Sequence, residues 1–339
     1  MGIFSRIGKW LKPVRKDGPG DGDDLAEALA WVMAGAGAKV RRLPGDEKWL
    51  LPAIRRALLH VEAIVQRTAG PVDVRRNRWD ADPILNAVFP SAEVLAKGLD
   101  GSVHLKRFFL ESPADQAYGL LTMRRTEKTV MTVEMEGGIL KRDVARTAVG
   151  FDDHEIRFLF PTEAETRREM VRYGMSYLGA AARDRIAGIE DWIADLETRR
   201  YVLEKEIQFA ESEKDPGERH TPQGRQEAER IVEGRSVLGE IDAKLAELGG
   251  QVASPEEYIH RLIEVLEARE TYLDLRTVYL YLDAMNLKVR PQSAGDARHV
   301  AFTEILLDGG RRAVGVIVRV PRGEVPDGTG REPQQAGKA

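Results

Sequence analysis

Cysteine is absent from the 339 residues. That absence excludes disulfides, thiolate nucleophiles and Cys-ligated zinc or iron–sulfur centres, and it suits a reducing, cytoplasmic setting. A surplus of one charge is lacking too. The 51 basic and 55 acidic side chains give a net charge of −4 and a pI near 6.0, so the chain as a whole is no polycation for nucleic acid. Of the basic residues 37 are Arg, which a GC-rich genome explains without a guanidinium code. Long apolar runs are missing: the Ala- and Gly-rich stretch 25–40 contains Glu27 and Lys39 and falls short of the about 20 apolar residues a bilayer span needs. There is no GxxxxGK[ST] loop and no GxGxxG after a strand, so neither phosphate cradle exists. Gly35 and Gly37 read as packing positions in an Ala-rich helix. The stretch Gly174-Met175-Ser176-Tyr177-Leu178 lacks the second Gly of a nucleophile elbow and lies in a helical pattern.

What is present is enough chain, 42% hydrophobic, for two compact domains with a core. Residues 1–16 place Ile3, Phe4, Ile7, Trp10, Leu11 and Val14 at spacings of three and four, with Arg6, Lys9, Lys12, Arg15 and Lys16 on the other side. This is a basic amphipathic helix. Its charge and apolar residues interleave, which is not the arrangement of a signal peptide. All its charges are basic and Trp10 sits beside the polar face, so an anionic membrane surface is the expected partner, through Ile3, Phe4, Arg6, Ile7, Lys9, Trp10, Leu11 and Lys12. A flexible Gly-Asp linker follows at 17–24, then a helical layer over 25–126, within which Ser112-Pro113-x-Asp115 opens a helix carrying Ala117, Leu120 and Leu121.

From 127 to 160 the period changes to two, Gly137-Gly138 marks one turn and Asp152-Asp153 another, so a three-stranded meander is expected. A second hairpin near the C-terminus, turning at Asp308-Gly309-Gly310, joins it in one antiparallel sheet. Between the two β regions, 161–250 reads as an antiparallel coiled-coil hairpin that opens with a Thr162–Glu165 capping box and projects from the body. Its seam is Ile186, Ile189, Ile193, Leu196, Leu203 and Ile207, answered by Ile231, Leu238, Ile241, Leu245 and Leu248. Arg200 occupies a seam position and needs an acid such as Glu233, while Gly234 leaves it room. Residues 251–322 supply closing helices, including 272–285, and the C-terminal β-hairpin; 323–339 is too polar to order. The fold class is α+β.

The opening Met1-Gly2-Ile3-Phe4-Ser5-Arg6-Ile7 resembles the start of the phage-shock/Vipp family of membrane-remodelling coiled-coil proteins. The likeness covers roughly a dozen residues and implies peripheral membrane attachment. That family passes directly from its membrane-binding helix into a helical hairpin, whereas a linker, a helical layer and strands intervene here.

Candidate chemistry is sparse. Asp152-Asp153-His154-Glu155 gathers four possible cation ligands at a turn, against the plainer reading of a solvated hairpin tip. Glu257-x-x-His260 is half of a di-iron motif without a second half. Seven Arg pairs, at 41-42, 55-56, 75-76, 124-125, 167-168, 199-200 and 311-312, would have to converge on one surface to bind phosphates. Residues 161–250 carry 14 basic against 20 acidic side chains and repel nucleic acid. The sequence therefore favours a non-catalytic scaffold or adaptor without cofactor or metal. It would lie in the cytoplasm, peripheral to the inner membrane, contacting an unidentified protein partner or further copies of itself. The alternative is an enzyme or a small-ligand or metal-binding protein built on residues 152–155.

Overall fold

The computed structural model describes residues 21–37, 47–136, 139–212, 221–290 and 297–326. The class is α+β. In chain order the first elements are α1 (Asp21–Ala36), α2 (Glu47–Gln66), β1 (Val72–Asp73), α3 (Pro83–Val88), α4 (Ala92–Gly101), α5 (Val103–Glu111), β2 (Gln116–Glu136) and β3 (Ile139–Phe160). Then come α6 (Glu163–Ser212), α7 (Pro222–Gln251), α8 (Pro255–Glu267), α9 (Arg269–Tyr272), β4 (Leu273–Leu282), β5 (Arg298–Leu307) and β6 (Arg312–Pro321). The chain forms two compact units: one takes in the described residues of Leu58–Gly174 and Arg269–Ala339, the other those of Gly20–Ala57 and Met175–Ala268.

The first unit is built on a six-stranded sheet of order β3-β2-β6-β5-β4, with β1 also on β6. All pairings are antiparallel except β1 with β6. Central β6 is buried over six consecutive residues, 313–318. One edge of it pairs with β2, from Gln116↔Pro321 to Met123↔Val314. Its other edge takes β5 and then the segment leading into β1, where Ile317 N donates to Ala69 O at 2.8 Å. Gly70 there has φ +111, and a Cβ would lie 2.3 Å from Ile317 O, so only glycine fits. On one face of the sheet, helices α3–α5 bury Leu85, Leu95, Leu99 and Leu105 with Leu121, Val316 and Phe302. Toward the opposite face, Gly174 of α6 lies against Val61 of α2 and Leu273 of β4. Arg167 donates to Val65 O at 2.6 Å, tying the start of α6 to the end of α2.

Four expectations need correction. Residues 116–126 are strand, not the last helix of a helical layer. Central β2 is buried on both faces, through Ala117, Leu121 and Met123 on one and Leu120 and Thr122 on the other, and such a run has no period that separates strand from helix. Likewise 273–282 is strand β4 instead of a closing helix. Asp152-Asp153 is no turn, so the expected three strands are two long ones. Register shifts between Tyr118 and Leu120, Thr122 and Arg124, and Thr132 and Glu134 each leave an extra residue on β3, and Phe158, Asp153 and Asp143 take positive φ of 56, 57 and 59 at these bulges. Asp tolerates that conformation, and the chain uses it here to bend a strand instead of ending one. Finally, two boundaries differ from those expected: 21–24 already belong to α1. Val325 is buried in the core cluster, and Glu324 lies beside Arg76. Residues 1–16 and 327–339 lie outside the described residues.

In the second unit, α1 crosses α6 backbone to backbone. A Cβ on Gly179 would fall 2.1 Å from Val32 O, and one on Gly35 would fall 1.9 Å from Ser176 O. These glycines set the approach, so Gly35 is a packing residue and Ser176 is buried in a helix–helix contact. Across the helical hairpin, a Cβ on Gly234 of α7 would lie 3.2 Å from Ile207 and 3.7 Å from Leu203 of α6. Arg200 reaches Glu204 at 3.1 Å and Asp242 at 3.3 Å, not Glu233. Nine residues further from the loop, Asp242 is the acid that faces it. Tyr258 of α8 donates to Glu190 at 3.1 Å, and Arg185 pairs with Glu264 at 3.1 Å.

Gly179→Ala should cost about 1–3 kcal/mol by overpacking the α1–α6 crossing. Gly239→Ala, in α7 where a Cβ meets nothing, should be neutral or stabilising by up to about 1 kcal/mol. Urea unfolding of both variants tests this; equal effects would show that the crossing does not depend on glycine.

Candidate functional site

The bulge at Asp153 and His154, opposite Met123, redirects the segment singled out in the sequence. It separates the four residues instead of gathering them. Arg124 takes the two aspartates, Asp152 at 2.6 Å and Asp153 at 3.3 Å, all three side chains being largely exposed. These carboxylates hold the Arg124 guanidinium above its ordinary pKa, Asp152 through its hydrogen bond first. His154 packs inward: its ring stacks on Phe89 at 4.7 Å, and Nε2 lies 3.2 Å from Val88 O. A carbonyl only accepts, so Nε2 carries the proton. Burial pushes the His154 pKa down, against the opposing effects of the Val88 carbonyl and the two aspartates, which favours the uncharged ring. Glu155 accepts from Arg157 at 2.6 Å and has His104 Nε2 at 3.8 Å.

His154 and Glu155 form one wall of a cavity of about 400 Å³ between β3 and the helices α4 and α5. Its apolar lining includes Val74, Phe89, Leu95, Leu99 and Leu121, all members of the core of this unit. The facing wall is the junction of α4 and α5, which supplies Lys97, Ser102 and His104. Ser102 caps α5, its Oγ accepting from Leu105 N at 3.3 Å. Arg76 donates to Asp100 at 2.5 Å and to Glu324 O at 2.9 Å, tying the end of α4 to the residues that follow β6.

Sequence reasoning reached His154 and Glu155 but missed Lys97, Ser102 and His104. About 50 residues separate the two walls, and no spacing links them; the Ser cap and the close pair Gly98 and Gly101 were the only local signals. No group of three or more His, Asp or Glu able to hold a metal occurs among the described residues. Glu257 lies 3.8 Å from Arg261, and His260 is exposed.

The membrane-binding residues proposed from the sequence, Ile3 to Lys12, lie outside the described residues. Among the described residues no helix is long and apolar enough to cross a membrane. Of the seam residues Ile186, Leu196, Ile231 and Leu248 are buried, and Ile189, Ile193, Leu203, Ile207, Leu238, Ile241 and Leu245 are half-buried. The hairpin also shows a second apolar row: Tyr201, Val202 and Phe209 of α6 are 61%, 48% and 63% exposed. At about 100° per residue this row lies on the side of α6 opposite the seam.

The chain matches no known protein-family model, no curated protein and no solved structure.

His154 provides a pH test. Its folded pKa lies below the ordinary value of about 6.5, so the unfolded chain takes up the proton first. The stability it contributes is therefore complete above that value and is lost below it, as pH falls through the lower folded pKa. Melting at pH 7.5 and pH 5 should show a drop that shrinks in His154→Phe, which keeps a ring against Phe89. An unchanged drop would mean that other groups carry the acid sensitivity.

Proposed function

We propose that this chain is a non-catalytic, membrane-peripheral scaffold or adaptor. Residues 1–16 attach it to an anionic inner leaflet, and the hairpin of α6 and α7 contacts a protein partner or a second copy. The observation that carries this reading is the second apolar row on α6. A hairpin that needs only to stand alone buries its seam and presents charge outward, yet Tyr201 and Phe209 are more than half exposed on a helix whose own seam is already occupied. Large exposed apolar groups gathered on one side of an otherwise charged helix mark a candidate protein contact.

The membrane half follows from charge. Residues 1–16 hold five basic and no acidic side chains, each basic residue contributing about 1 kcal/mol near an anionic surface. Six apolar side chains add partial burial. A single copy binds weakly and reversibly, and several copies brought together by the hairpin bind by avidity.

Full-length protein should sediment with vesicles containing phosphatidylserine or phosphatidylglycerol, less at high salt, and deletion of 1–16 or Trp10→Glu should abolish it. Retention of binding by both variants would sink the membrane half. Tyr201→Ser with Phe209→Ser should leave the melting curve unchanged, since both side chains are exposed. It should reduce self-association or partner capture at least tenfold; an unchanged assembly state together with unchanged capture would sink the hairpin half.

A further inference from the structure

The cavity between β3 and the α4–α5 junction has a floor made of the core itself. Leu95, Leu99 and Leu121 stand behind it at 0–2% exposure, closed to solvent, and apolar surface open to the cavity comes from Ile156 and Val103. At about 400 Å³ the opening has the size of a small-molecule site.

Its polar groups narrow the chemistry. Glu155 is already engaged by Arg157, with His104 beyond it. His154 is uncharged, its N–H committed to Val88 O. Lys97 makes no salt bridge or hydrogen bond among the described residues; the one charge recorded near it is Glu93, a turn earlier, which is held by Ser91 and its own backbone. Ser102 uses its oxygen to cap α5 and keeps its O–H to donate. The uncompensated charge on the wall is thus positive, and Lys97 and the Ser102 O–H are donors left to bond a ligand at the α4–α5 junction.

We propose that this cavity binds a small monocarboxylate with an apolar chain or ring, its carboxylate at Lys97 and Ser102 and its apolar part on Ile156 and Val103. A carboxylate accepts without donating, which matches that donor set. A cationic head would face Lys97, and a sugar-like molecule would find too few polar partners on an apolar floor. A dianionic head would carry more charge than one ammonium compensates. The proposal does not rest on the scaffold reading.

Calorimetric titration of the full-length protein with decanoate, decanol, decylammonium, decyl phosphate and acetate tests it. Decanoate should saturate one site per chain, about tenfold tighter than decanol. Acetate and decylammonium should not bind measurably, and decyl phosphate should bind more weakly than decanoate. Lys97→Met should bring decanoate to the affinity of decanol. Gly98→Leu should abolish both: at Gly98 a Cβ meets only Phe89 Cε1, at 3.8 Å, so the leucine enters the cavity without a clash at its base. An unchanged melting curve for that variant separates filling from unfolding. Equal binding of decanol and decanoate would overturn the proposal. So would tighter binding of decyl phosphate, absence of saturation, or decanoate binding that survives Gly98→Leu, as uptake by residues 1–16 would.

Discussion

Strand β6, close to the end of the chain, is the constraint on which the sheet-containing unit depends. It is bonded on one side to β2 and on the other to β5 and then to the segment 69–73. That segment is stitched a second time, Ala69 N donating at 2.8 Å to the hydroxyl of buried Thr303 on β5. Immediately after β6, Arg322 donates to Phe109 O at 2.8 Å and to Ala114 O at 3.1 Å, and its guanidinium lies 4.9 Å from the Phe109 ring. The helical layer α3–α5 is therefore held at both ends by residues 312–322. The centre of the sheet forms only when strands separated by about 250 residues meet, a high-contact-order arrangement that folds slowly.

Helices were legible in the sequence where their ends carried chemistry. Thr162 accepts from Glu165 N at 3.2 Å at the start of α6, and Ser254 from Glu257 N at 3.4 Å at the start of α8. Both are capping boxes written in the sequence. Strands were legible where one face meets solvent, as in the outer part of β2 and β3, and illegible where both faces are covered. Residues 116–123 have no alternation because both sides of that strand are buried, and Ser112-Pro113-x-Asp115 imitates a helix start that leads into a strand. Local sequence also cannot show that an aspartate in αL belongs to a bulge, because the extra residue is defined by the partner strand, some 30 residues away.

Arginine abundance has an outcome that composition could not supply. In six of the seven Arg pairs, all but 41-42, which lies outside the described residues, at least one member is ion-paired with a carboxylate. Others act on the backbone, as Arg167 and Arg322 do on carbonyls near helix ends. Asp73 gathers three of them, Arg75 at 2.9 Å, Arg319 at 3.1 Å and Arg78 at 3.8 Å. Burial pushes its pKa up, yet the hydrogen bonds from Arg319 and Arg75 outweigh that and hold the carboxyl below its ordinary range. Exposed pairs of this kind add little stability one by one; bonds to helix-end carbonyls satisfy groups that would otherwise stay orphaned.

The cavity illustrates the same limit at the scale of a site. Its β3 wall exists because a bulge at Asp153 turns His154 onto Phe89 while leaving both aspartates with Arg124. Its helical wall is the junction where α4 ends at Gly101 and α5 begins at Val103, with Ser102 alone between them as the cap of both. Neither feature is a motif. Each is a local interruption of a regular element, and only the pairing of β2 with β3, and the clamp of Arg76 and Arg322 on the helical layer, bring the two interruptions to one place.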